Sequence, residues 1–153
     1  MKRITQENTM HKLLIAVDGS ELALDAVHHA LGLIAQGLRA DLVLANVQEP
    51  ATLYEMVVVH DPKALREVSA SAGAHLLAPA EALVTQAGVT FESVVETGDP
   101  VNTLLDIAQR YDCDGVVVGA RGVGNLRGTL MGSVSQKMVQ TSTLPVTVVK
   151  HID

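Results

Sequence analysis

Four residues stand at a spacing suited to holding an anion: Gly119, two residues, Gly122, nine residues, Gly132, then Ser133. Gly119 closes the apolar run Val116–Val118 and is read as the point where the chain turns sharply. Gly122 has no Cβ, so a ligand can approach its peptide groups closely. Gly132 and Ser133 open a segment with helical spacing, and the first N–H groups of a helix have no partner within it. Ser133 and Ser135 add hydroxyl donors for a phosphate. A helix N-terminus contributes about 0.3–1 kcal/mol per exposed anion, and up to about 2 kcal/mol when partly buried. That is too little to hold a polyphosphate on a chain of net charge −6. The remainder is expected from charge-assisted N–H bonds, from Arg121 and Arg127, and from a divalent cation carried on the phosphates.

Other readings of the stretch from Gly119 to Ser133 fit less well. A dinucleotide turn needs G-x-G-x-x-G after the first strand, and here Gly128 comes one residue too late. A Walker A loop needs a lysine between Gly132 and Ser133. A loose linker is at odds with Leu126, Leu130 and Met131. A purely structural loop is the remaining alternative.

Alternating strands and helices must position these residues. Leu13–Val17 reads as a buried strand ending at Asp18-Gly19-Ser20. Ser20 caps a helix carrying Ala23, Val27, Ala30, Leu31 and Ile34 at helical spacing, with Gly37 as its stop. Asp41–Val47 is a second strand. Residues 48–61 read as irregular, with Met56–Val59 as a loop packed over the body. Pro62–Ala87 is helical, with Pro79 expected to kink or split it. Val89–Thr97 is a third strand. Asp99 caps a helix beginning at Pro100 and running to about Tyr111. A fourth strand lies in Gly115–Gly119, a helix in Val134–Gln140 and a last strand in Leu144–Lys150. Short apolar strands in this order imply a parallel sheet covered on both faces, a doubly wound α/β fold. Ligands of such folds bind beyond the carboxyl ends of the strands, where the strand order reverses. Asp18 and Gly119 stand at such ends. The competing role for Asp18 is to stabilise its own turn.

Length and composition narrow the classes further. The chain's 153 residues suit one domain, residues 11–153, behind a polar extension at 1–10. Aromatic residues make up 2%, which leaves almost no stacking platform for bases, and no basic run is present. Nucleic acid is therefore not an expected partner. A lone cysteine, Cys113, excludes an internal disulfide and reads as a small buried residue. The six histidines show no ligand spacing, and Asp112 and Asp114 read as a helix-to-strand turn. The N-terminus lacks the apolar segment of a secretory signal, and no apolar run reaches spanning length, so a cytoplasmic location is expected. The last strand carries apolar groups on both faces, and an exposed edge of that kind invites pairing with a second copy.

The glycine pattern, the "IAVDGSE" segment at 15–21, "LVLANV", "VVVGARG" and "LPVTVVK" together resemble the universal stress protein family. The resemblance extends over nearly the whole chain from about residue 11. It implies a Rossmann-like sheet of five parallel strands in the order 3-2-1-4-5, and an ATP site. Ala16, Val17 and Asp18 would lie near adenine and ribose, and the backbone of Val47 would contact adenine. Val118, Gly119, Ala120, Arg121 and Gly122, with Gly132, Ser133, Val134 and Ser135, would line the ribose and phosphates. Mg or Mn would ride on the phosphates. The resemblance further implies a homodimer through the last strands, at Leu144, Val146 and Val148. Asn46 stands where many members have His, and Ala120 where many have Ser. The function expected is that of an ATP-binding regulatory protein of stress response. A slow ATP hydrolase or nucleotidyl transferase is the alternative, with no general base or nucleophile identified for it. A third reading is a dimeric interaction module without nucleotide.

Overall fold

The computed structural model describes residues 10–58, 60–120 and 131–151. Residues 1–9 of the expected extension and the stretch 121–130, with Arg121, Gly122 and Arg127, lie outside them. Among the described residues ten elements follow one another: β1 (His11–Ala16), α1 (Glu21–Ala35), β2 (Ala40–Gln48), α2 (Leu53–Val58), α3 (Pro62–Gln86), β3 (Phe91–Thr97), α4 (Pro100–Arg110), β4 (Gly115–Gly119), α5 (Ser133–Thr141) and β5 (Val146–Val149). The strands form one sheet in the order β3-β2-β1-β4-β5, and every pairing is parallel. β1 pairs with β2 from His11↔Ala40 to Ala16↔Ala45, and with β4 from Leu13↔Gly115 to Ile15↔Val117. The order therefore reverses at β1, between its two neighbours.

Helices cover both faces of the sheet. Ile15, Leu42, Leu44 and Val117 pack against Ala26, Val27 and Ala30 of α1 and Leu77, Ala80 and Val84 of α3. On the other face, Leu14, Val43, Ala45, Val116 and Val118 pack against Val101, Leu104 and Ile107 of α4 and Met138 of α5. The side chains of β1, β2 and β4 alternate between these two layers, as the period of a strand requires. With so few aromatic residues, β-branched residues, leucine and alanine fill both.

Several element bounds differ from those read in the sequence. β1 ends at Ala16, although the Val17 N–H still donates to Ala45 O at 2.8 Å. β5 is confined to Val146–Val149, and Pro145 sits just before it, its carbonyl accepting from the Val116 N–H at 2.9 Å. Residues 48–61 are not wholly irregular, because α2 forms within them. Its start is a capping box, in which the Thr52 N–H donates to Glu55 Oε2 at 2.7 Å and the Glu55 N–H to Thr52 Oγ1 at 3.3 Å. The Thr52 N–H and the Thr52 hydroxyl, 3.0 Å from Glu55 Oε2, both donate to the carboxylate, favour its ionised form and hold Glu55 below its usual pKa. Thr52-x-x-Glu55 is legible in the sequence, but the segment is too short for hydrophobic periodicity to reveal it. Met56, Val57 and Val58 do not pack over the body; all three are exposed. Pro79 does not split α3, which runs unbroken through it.

Candidate nucleotide site

The chain leaving β1 is shaped by Asp18-Gly19-Ser20. Gly19 takes φ +86°, and a Cβ there would stand 2.5 Å from Leu76 Cδ2 of α3. An L-residue would be strained at that angle whatever the space. Asp18 Oδ1 accepts from the Ser20 N–H at 2.9 Å and the Ser20 hydroxyl at 2.5 Å. Ser20 Oγ in turn accepts from the Ala23 N–H at 3.2 Å and caps α1. One carboxylate oxygen of Asp18 thus supports the turn, and the residue is exposed at the end of β1.

Gly119 ends β4 on the other side of the switch point. Its φ is not in the left-handed region, so the sharp turn expected from the sequence is not why glycine stands here. A Cβ would lie 2.7 Å from Leu22 O and 2.9 Å from Leu22 C, both backbone atoms in the first turn of α1. Glycine lets α1 lie directly on the end of β4. The next residue, Ala120, is buried, and its N–H donates to Val149 O at 2.8 Å.

The N-terminus of α5 is fastened to this strand end. The Gly132 N–H donates to Ala120 O at 2.6 Å. Ser135 Oγ donates to the same oxygen at 2.8 Å and to Gly132 O at 3.0 Å. Ser135 is buried and its only hydroxyl proton is directed to those carbonyls, so it acts as a staple here rather than as the phosphate donor read from the sequence. Ser133 is exposed at the first helical position, and Val134 is half-buried. Side chains cap α1, α3 and α4, supplied by Ser20, Asp61 and Asp99. Gly132 supplies none to α5. Its first N–H groups lie beyond the reach of the helix's own carbonyls, and the first helical bond is Gln136 N–H to Gly132 O at 3.0 Å.

The structure therefore brings Asp18, Gly119, Ala120, Gly132 and Ser133 to the carboxyl ends of adjacent strands. Ala16, Val17 and Val118 contribute main chain there, since the side chains of Val17 and Val118 are in the core and that of Ala16 packs against it. Val47 is half-buried at the end of β2, beyond the last β1–β2 pair. Arg121 and Gly122 belong to the undescribed stretch. Asn46 and Gln48, which the sequence did not single out for the site, form a hydrogen-bonded relay to the Val17 carbonyl. The Asn46 amide donates to Val17 O at 2.8 Å, and the Gln48 amide donates to Asn46 Oδ1 at 2.7 Å. A polar residue in an otherwise apolar strand, Leu42-Val43-Leu44-Ala45-Asn46, was the available signal.

Among the described residues no cluster of His, Cys, Asp or Glu could hold a metal, and all six histidines are exposed. The Asp114 carboxylate accepts from the Lys12 N–H at 2.8 Å, a structural use. Cys113 is buried, and burial pushes its thiol from 9.0 up to about 11. The folded protein then keeps this proton to higher pH than the unfolded chain does. The resulting stability is fully present below about pH 9 and is lost as pH rises through about 11. Urea titrations should show the stability gap between wild type and Cys113→Ala narrowing over that window; a constant gap would contradict the assignment.

Among the described residues no helix is long and apolar enough to cross a membrane. The family model of the universal stress protein family matches residues 9–150. The universal stress protein YxiE of Bacillus subtilis is 32% identical over 150 residues, covering 92% of this chain and 99% of that protein. A solved universal stress protein in complex with cAMP superposes with a TM-score of 0.63 at 28% identity, covering 91% of this chain and 95% of that one. A universal stress protein family protein from Arabidopsis thaliana with AMP bound has a TM-score of 0.67 at 24% identity, covering 93% and 92%, and shares the fold. The strand order and the match along nearly the whole length agree: the chain belongs to the universal stress protein family.

Proposed function

We propose that this protein is a nucleotide-dependent regulator of stress response whose cleft holds an adenine nucleotide. ATP with Mg or Mn on its phosphates is the ligand favoured, bound between the ends of β1 and β4 and the N-terminus of α5. The observation that carries this reading is the uncapped start of α5, fastened through Ala120 to the strand end at the switch point. N–H groups without a partner among the described residues suit a phosphate at such a place. The cAMP complex of a 28% identical neighbour supports an adenine ligand. Asp18 would meet the ribose, Val47 the base, and Gly119–Gly122 with Gly132–Ser133 the phosphates. The protein would act in the cytoplasm as a homodimer through β5. Val116 N–H and Ala120 N–H donate to the carbonyls of Pro145 and Val149. Alternation along the strand then turns the main chain of Val146 and Val148 to the open edge.

Calorimetry of ATP with Mg or Mn, on protein whose mass is measured by light scattering, tests both parts. Binding with a Kd in the micromolar range by a dimer is expected. Absence of binding at high micromolar ATP would sink the nucleotide reading, and a monomeric mass the dimer. Tighter binding of AMP than of ATP would move the ligand within the adenine class.

A further inference from the structure

Asn46 and Ser135 are the two buried polar residues of the described core. Ser135 fastens α5, whereas Asn46 bonds the main chain just beyond β1. The Val17 carbonyl can only accept, so Asn46 must present its NH2 group to it. Asn46 Oδ1 then faces Gln48, which must present its own NH2. One carbonyl thereby sets the orientation of two amides. α3 closes off the space behind them: a Cβ on Gly73 would stand 2.9 Å from Asn46 Oδ1 and 2.3 Å from Val95 Cγ1.

The main chain explains what this relay does. Leu42 N–H donates to Thr90 O, and Gln48 O accepts from Gly98 N–H, so even-numbered residues of β2 face β3. Ala45 O accepts from Val17 N–H, so odd-numbered residues face β1. Val47 therefore directs its N–H and C=O toward β1, past the last registered pair, Ala16↔Ala45. In a parallel ladder carried one step further, the Val47 N–H would take the Val17 carbonyl. The Asn46 amide takes it instead.

We propose that Asn46, oriented by Gln48, is a positioning residue for base recognition: it holds the Val17 carbonyl, ends the β1–β2 ladder and leaves the Val47 N–H and C=O to an adenine edge. This rests on the adenine-nucleotide reading above. Adenine offers an amino donor beside a ring-nitrogen acceptor, which one C=O and one N–H of a strand residue complement. Guanine presents the reverse order, an acceptor beside a ring N–H. The same relay fixes the peptide leading into Asp18.

The test compares ATP and GTP binding to wild type, Asn46→Leu and Gln48→Leu, with circular dichroism as the check on folding. Asn46→Leu is expected to weaken ATP binding about tenfold, the factor for one lost hydrogen bond, and to shrink the preference for ATP over GTP by a similar factor. Gln48→Leu, at a half-buried position, is expected to lower that preference about threefold; it decides the matter should the leucine at 46 fail to fold. A purely structural role would change stability but leave the ATP-to-GTP ratio alone. Folded variants with the wild-type ratio would overturn the role of Asn46 while leaving the nucleotide site standing. A wild type that binds neither nucleotide would overturn the adenine reading and this inference with it.

Discussion

Gly119→Val is expected to cost roughly 3 kcal/mol in the absence of any nucleotide. Overpacking a core usually costs about 1–3 kcal/mol because side chains rotate or shift to make room. Here the obstacles are the carbonyl carbon and oxygen of Leu22, 2.9 and 2.7 Å from the new Cβ. Neither can change rotamer, so α1 must lift from the sheet, and α1 buries Ala23, Ala26, Val27 and Ala30 against it. The estimate therefore sits at the top of the range. At about 2–4 °C per kcal/mol for a domain of this size, the melting temperature should fall by about 6–12 °C. Urea and thermal unfolding of the nucleotide-free protein check it. A variant as stable as wild type would mean that α1 does not rest on the end of β4. The glycine proposed to meet the phosphates thus has a packing requirement that precedes any ligand.

Pro79→Ala is expected to work in the opposite direction, raising stability by about 2 kcal/mol. Pro79 lies exposed inside the 25-residue helix α3. Its ring lacks the N–H that would bond the carbonyl of His75, and proline in a helix interior is about 3 kcal/mol worse than alanine. The unfolded chain gives back about 0.4–1 kcal/mol, because proline restricts it more. α3 covers β2 and β3 and brings Gly73 against Asn46, so a firmer helix also firms the floor of the candidate site. The urea midpoint should rise and the new amide at position 79 should be protected from hydrogen exchange. An unchanged or lower midpoint would show that the helix has accommodated the proline at little cost.

The two variants mark two kinds of legibility. Pro79 inside an Ala-rich helical segment is visible in the letters; that α3 continues through it is not, because Leu77, Ala80 and Val84 bury against the sheet on both sides of the proline and hold the helix together. The packing role of Gly119 is invisible in its own neighbourhood, since Leu22 is nearly a hundred residues away and meets it only when α1 crosses β4. The spacing of Gly119, Gly122, Gly132 and Ser133 nevertheless pointed to the family to which the chain belongs. Ser135 shows the limit of that inference. A hydroxyl one turn into a helix can face a ligand or a carbonyl with the same sequence around it, and the position of Ala120 O decides.

By itself, the sequence determined what depends on neighbours along the chain. It carried the alternation of strands and helices, the caps at Ser20 and Asp99, the turn through Asp18-Gly19-Ser20, and the glycine spacing that resembles the universal stress protein family. These follow from local periodicity, hydrogen bonds spanning two or three residues, and backbone angles. The strand order came only through the resemblance, because periodicity says that a strand is buried and not beside which partner. Tertiary structure alone decided that Gly119 makes room for α1, that the Ser135 hydroxyl is directed to Ala120 O, and that the Asn46 amide takes the Val17 carbonyl. Each depends on a donor, acceptor or steric neighbour supplied by a different segment, and such a partner has a direction and a distance only after the chain has folded.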